Sequence, residues 1–186
     1  MKLTFASLAL VALLGAGTIQ SASAQKAKTV MVGGAPMYPT KNIVENAVNS
    51  KDHTTLVAAV KAAGLVETLQ SAGPFTVFAP TNEAFAALPA GTVETLVKPE
   101  NKETLTKILT YHVVAGRMTS ADLMKAIKAG KGKATLKTVQ GETLTAMMKG
   151  KTIELKDEKG GISTVTIADV MQSNGVIHVV NKVLMP

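Results

Sequence analysis

Phe75-Thr76-Val77-Phe78-Ala79-Pro80-Thr81-Asn82-Glu83-Ala84-Phe85 is the stretch that decides the fold. Its first half is an apolar, aromatic and β-branched run of strand length, and Pro80, which cannot donate to a sheet ladder, stops it. Thr81 then stands where a hydroxyl can accept from the free amides of a new helix, and Phe85 faces back into the core. A second block ends the sequence: Asn174-Gly175-Val176-Ile177-His178-Val179-Val180, followed by Asn181 to Pro186. Asn-Gly is a strong turn signal, and the β-branched residues after it predict a strand from Val176 to Val180. Between the two blocks lies Tyr111-His112-Val113-Val114, a polar aromatic pair at the end of a helical pattern running into an apolar strand pattern.

These three blocks, in this order and at this spacing, resemble the fasciclin domain, also called FAS1, over residues 42–186. The resemblance implies an α+β fold, a wedge-like β-sandwich with helices packed along one edge. It also marks Tyr111 and His112 as a hallmark pair, which in animal members is associated with integrin binding. The pair carries over to Tyr111 and His112, but the integrin does not necessarily, since nothing in the sequence points to one; no Arg-Gly-Asp motif is present either. Asn82 occupies a position that is often Asp in the family. It is the expected hydrogen-bond partner of His112, without the charge that an Asp would bring.

The N-terminus has the form of an export signal: Lys2, an apolar stretch from Leu3 to Ile19, and the small-residue triplet Ala22-Ser23-Ala24. The expected organisation is a signal over 1–24, an extended N-terminal arm over 25–41 carrying Gly33-Gly34, Pro36 and Pro39, and a single domain over 42–186. No later apolar segment has the length of about 20 residues that a helical span needs. The chain has no cysteine. Neither a disulfide framework nor a lipidated cysteine is therefore available, and stability has to come from an apolar core. Hydrophobic residues make up 46% of the chain and charged residues 18%, which suits a packed globule and not a disordered one.

Helical periodicity runs from Asn42 to Gln70, with Gly64 and Gly73 as expected stops, and again from Thr92 to Leu109 with a restart near Pro99 and Asn101. Thr119-Ser120-Ala121-Asp122 has the pattern of a capping box for a helix ending at Gly130. From Ala134 onward the pattern changes to short strands punctuated by Gln140-Gly141, Lys149-Gly150, Gly160-Gly161 and Asn174-Gly175.

Formal net charge is +7, almost all from lysine, since Arg117 is the single arginine. Lysines concentrate between Lys125 and Lys159. They read either as the charged edges that keep sheets from aggregating or as a surface for anionic partners. Nucleic acid is a poor fit, because the region lacks arginine forks and stacking aromatics.

Catalytic readings find little support. No serine sits in a nucleophile elbow, no glycine run has phosphate-loop spacing, and His53, His112 and His178 stand far apart without metal-site spacing. The 9 methionines are scattered, with Met147-Met148 the one close pair, as suits flexible core fillers better than a Cu(I) carrier. No cofactor or metal is expected. Thr81, Asn82 and His178 are read as structural residues, and His112 first as a buried imidazole whose ring nitrogens are paired inside the fold and hold helix to sheet; Tyr111, His112, Lys131, Lys133 and Lys137 are the candidate binding residues. The resemblance implies a secreted, non-enzymatic adhesion or matrix module. Its partners would be cell-surface or matrix proteins or anionic polysaccharide, met in the periplasm or outside the cell. Since some fasciclin-type proteins bind carotenoid-like pigments, the alternative is an exported carrier of an apolar small molecule in a Met-, Val- and Leu-rich interior.

Overall fold

The computed structural model describes residues 29–186. The expected export signal and the first residues of the lead-in lie outside the described residues. The lead-in that follows is a two-stranded hairpin, β1 (Val30–Val32) and β2 (Ala35–Met37), turned by Gly33-Gly34. Val32 and Met37 are buried on its inner face, so this segment contributes to the core.

The expected long helical stretch divides into α1 (Ile43–Ala47), a 3-10 turn over Lys51–His53, α2 (Thr54–Ala63) and α3 (Val66–Gln70). Periodicity alone does not show the break. It arises because the Lys51 amide donates to the Gly33 carbonyl of the hairpin, 3.2 Å, and Asn49 Nδ2 turns back to the Glu45 carbonyl. Gly64 ends α2 in the left-handed conformation that glycine adopts freely, as expected. Gly73 is no helix stop: α3 ends at Gln70, where the Ser71 hydroxyl donates to Thr68 O, 2.7 Å.

Next come β3 (Phe75–Pro80), α4 (Asn82–Ala86), α5 (Thr92–Leu96), α6 (Lys102–Tyr111), β4 (Val113–Ala115) and α7 (Ser120–Ala129). Five strands complete the described chain: β5 (Lys133–Lys137), β6 (Thr143–Lys149), β7 (Thr152–Lys156), β8 (Ile162–Gln172) and β9 (Gly175–Val180). The seven-stranded sheet has the order β4-β3-β9-β8-β7-β6-β5. Its spine is the parallel pairing of β3 with β9, in register from Phe75↔Gly175 to Pro80↔Val180. Register shifts between Val165 and Val170 let β8 serve β7 with its first half and β9 with its second, which folds the sheet over on itself. A bridge between Val114 and Thr138 nearly closes it. The result is the wedge-like sandwich.

Both faces of β3 and β9 are covered, which is why Val176 to Val180 are all buried. Val77, Ala79, Ile177 and Val179 meet the helical layer, with Leu56, Val60, Leu105 and Leu109. On the other face, Phe78 and Val180 join the sheet interior with Leu144, Ala146 and Leu155, plugged by Leu123 and Ile127 of α7. Polar clamps join helices to sheet. Asn174 Oδ1 accepts from Ile43 N at the start of α1, 3.1 Å, while its Nδ2 donates to Leu69 O, 2.8 Å, and Ser71 O, 2.9 Å. The fully buried Asn46 amide donates to Tyr38 O, 2.8 Å, and to Gln172 Oε1.

Candidate interaction surface and the Tyr111–His112 hub

Helix α6 delivers Tyr111 and His112 to the junction between the helical layer and the sheet. Tyr111 is fully buried. Its hydroxyl donates to Thr143 O, 2.8 Å, and accepts from Glu158 N, 3.3 Å, which fastens α6 to β6 and to the β7–β8 turn. Burial, helped by the charges of Asp157, Glu158 and Glu142, pushes this phenol up to about 12 and keeps it protonated.

His112 is 2% exposed. At the end of α6 its own amide bonds Leu109 O, which leaves the Ile108 carbonyl short of its usual i+4 donor. His112 Nδ1 lies 2.8 Å from that carbonyl and donates to it, so Nε2 is free to accept from Leu184 N, 3.0 Å. Burial lowers the imidazole to about 4, against the smaller raising effects of the Ile108 bond and Asp157, and the ring is neutral at pH 7. Both side chains are spent on internal bonds and closed to solvent. For His112 this is the internal pairing expected of a buried imidazole, and it corrects the candidacy of Tyr111 and His112 as binding residues.

The proposed Asn82–His112 bond is also corrected. Asn82 Oδ1 accepts from Thr55 N, 3.0 Å, and Thr54 Oγ1, 3.2 Å, and its Nδ2 donates to Lys51 O, 2.8 Å. It caps α2 from across the fold, because the N-cap residue of α2, His53, makes no side-chain cap of its own. Thr81 caps α4 as the sequence predicts, accepting from Ala84 N, 3.3 Å.

His178 is fully buried, stacked on Phe78 with ring centroids 5.7 Å apart. Its Nδ1 accepts from Asp169 N, 3.3 Å, and its Nε2 donates to Met118 O, 2.9 Å. Burial lowers its pKa. Asp169, at φ 58° within the irregular part of β8, accepts from Ser120 N, 2.7 Å, and from the Ser120 hydroxyl. The grouping of serine, aspartate and histidine is not a catalytic triad. The serine hydroxyl donates to the carboxylate and makes no bond to the imidazole, so the histidine base that a triad requires is not placed to activate it. Its work is to hold the first turn of α7 against β8. Sequence reading missed Asp169, Asn46 and Asn174 as clamps. Asn174-Gly175 was visible as a turn, and nothing local showed that its side chain reaches residues more than 100 positions upstream. Among the described residues no group of three or more His, Asp or Glu is placed to hold a metal ion, and no helix is long and apolar enough to cross a membrane.

The lysines sit differently. Lys131, at φ 55°, lies in the turn between α7 and β5, and Lys133 and Lys137 project from β5. All three are exposed, while Ala134 and Leu136 between them point inward. Across the molecule, an apolar cavity of about 80 Å³ lies between the helices and the outer face of β3 and β9, walled by residues including Met37, Ile43, Val60, Leu65, Phe75 and Ile177.

The fasciclin domain model matches residues 51–186. The chain is 47% identical over 176 residues to Protein sll1483 of Synechocystis, covering 93% of this chain and 89% of that one. It is 35% identical to Immunogenic protein MPB70 of Mycobacterium bovis, with 94% and 82% covered. Transforming growth factor-beta-induced protein ig-h3 of Sus scrofa is 40% identical over 131 residues, which are 70% of this chain and 17% of that much longer one. The solved FAS1 domain pair of the insect cell adhesion molecule fasciclin I superposes with a TM-score of 0.68 at 18% identity, over 78% of this chain and 51% of that one.

Proposed function

The chain belongs to the fasciclin family, and from that premise we propose that it is an exported, non-enzymatic adhesion module acting at the cell surface or in the surrounding matrix. The observation that carries this reading is a fasciclin domain over residues 51–186 in which the hallmark pair Tyr111 and His112 is internal, while lysine-bearing strands stay open to solvent. The relative in fold, the insect cell adhesion molecule fasciclin I, supports the same direction. The export pattern of residues 1–24 fits it. Contact then passes through the sheet surface and not through the hub, whose task is to hold α6, β6 and the C-terminal segment together.

The test is attachment and aggregation of the producing cells with the gene deleted, with and without added purified protein. Loss on deletion and restoration by the added protein is the expected result. Unchanged attachment in both arms overturns the adhesive reading.

A second reading rests on the apolar cavity. At about 80 Å³ it is smaller than the cavity of about 150 Å³ that admits benzene in a well-studied enzyme, so a pigment-sized molecule would need the helical layer to move outward. Organic extraction of protein purified from its own host tests it. A co-purifying lipid or coloured molecule supports a carrier, and a clean extract excludes one made in that host under those conditions.

A further inference from the structure

The outward face of β5–β6–β7 has a defined charge geometry. Its residues follow from the pairing register. Lys133 lies opposite Met147, which lies opposite Glu154; Thr135 lies opposite Thr145, which lies opposite Lys156; and Lys137 lies opposite Thr143. The inward-facing partners, Ala134, Leu136, Leu144, Ala146 and Leu155, pack beneath α7 in the sheet interior, so that helix leaves the outer face free. Lys149 is occupied by an ion pair with the mostly buried Glu154, 3.1 Å. Lys133, Lys137 and Lys156 make no ion pair among the described residues. On strand geometry, Lys133 and Lys137 stand about 13 Å apart along β5, and Lys156 sits two strands away, about 10 Å across, level with the threonine between them.

We propose that this triangle of Lys133, Lys137 and Lys156, interleaved with the hydroxyls of Thr135 and Thr145, binds an acidic polysaccharide; the Thr143 hydroxyl beside Lys137 is already donated to Glu158 Oε1, 3.1 Å, and takes no part. The proposal rests on the adhesive reading above and names its partner. Three features of the face select that class. Lysine ammoniums are point charges without the fixed fork of arginine, so they suit a repeating polyanion whose carboxylates can engage in more than one register. The hydroxyls between them both donate and accept, matching a hydroxyl-rich chain. The face also lacks what other partners need. It has no aromatic or arginine to anchor a protein or stack on bases, and its large apolar side chains are Met147 and, at the margins, Ile162 on β8 and Val139 just past β5, too few for insertion into a lipid surface. The sheet fixes the strand positions from which the lysines project, so binding orders side chains but no backbone.

The test uses the purified chain with polygalacturonate as the acidic probe, neutral dextran as control, and phosphatidylglycerol vesicles and duplex DNA as the competing classes. Polygalacturonate should bind, dextran should not, and binding should vanish at about 1 M NaCl, where the screening length falls to about 3 Å. K133E, K137E and K156E should each weaken binding about fivefold, the effect of losing roughly one exposed charge contact. Lys→Gln versions of the same positions should weaken it less. K98E and K107E, exposed on the helical side, should leave it unchanged, and circular dichroism checks that every variant folds. Equal losses from the helical-side variants would overturn the assignment of the face. Binding to vesicles or DNA in preference to polygalacturonate would overturn the partner, as would no binding to any probe. The triple variant, added to the deletion strain, separates this proposal from the adhesive reading. If it still restores attachment while failing to bind polygalacturonate, the face is not the adhesive surface and adhesion stands. If wild-type protein binds the polysaccharide but deletion changes nothing, adhesion falls and the site stands.

Discussion

His112 satisfies two buried backbone groups at once, the Ile108 carbonyl and the Leu184 amide. His112→Ala leaves a buried acceptor and a buried donor unpaired and opens a void, for an expected loss of about 4 kcal/mol in urea denaturation. A loss below about 1 kcal/mol would show that water or relaxation replaces both bonds, and the hub would not be structural. Tyr111→Phe removes one hydroxyl that both donates and accepts, for about 1 to 2 kcal/mol, and should leave polysaccharide binding unchanged because the ring never reaches the surface. At this scale the sequence was legible where the chemistry is local. Thr81 and the Thr119–Asp122 capping box follow from spacing of a few residues, and both form. Asn82 was not legible, because its partners belong to a helix start some 27 positions upstream that only the tertiary fold brings beside it. The hallmark pair was recognised by family pattern, which says that a residue matters but not whether it faces partner or core.

Strands β5 to β9 fall in the stretch expected to hold short strands and between its expected glycine turns, because each has alternating or β-branched residues, signals that survive without tertiary context. The division of residues 42–70 was hidden because its cause, the hairpin carbonyl of Gly33, lies outside the segment. The β3–β9 pairing was equally hidden: both strands read clearly, but nothing local says that the first block pairs with the last. One glycine makes that pairing possible. A Cβ on Gly175 would run into the Phe75 carbonyl across the parallel pair. Gly175→Ala should therefore cost about 2 to 3 kcal/mol, the price of forced overpacking, through the spine strands themselves. Thr119→Ala should cost only about 1 kcal/mol, since a cap at the exposed start of α7 is all it removes. Thermal melts of the two variants side by side give the comparison, and a Gly175→Ala melt no lower than that of Thr119→Ala would mean that β3 and β9 separate without strain.

The molecule as a whole carries three buried histidines, and burial lowers the pKa of each of them: His53, His112 and His178. A depressed histidine means that the unfolded chain takes up protons at a pH where the folded chain refuses them. Stability from this source is complete above pH 6.5 and is lost progressively as pH falls toward the folded value, which for His112 is about 4. His112 alone then accounts for a loss on the order of 3 kcal/mol between those limits, with His53 and His178 adding in the same direction. Rising positive charge on an already basic chain also acts this way, but salt screens that contribution and leaves the desolvation of buried imidazoles almost untouched. Urea midpoints measured from pH 7 to pH 4 at low and high salt should decline in both series. His112→Gln separates the cause, since an amide can donate to Ile108 O and accept from Leu184 N without titrating. Its midpoint should fall less steeply over the same range, and parallel curves for wild type and variant would place the acid sensitivity elsewhere in the fold.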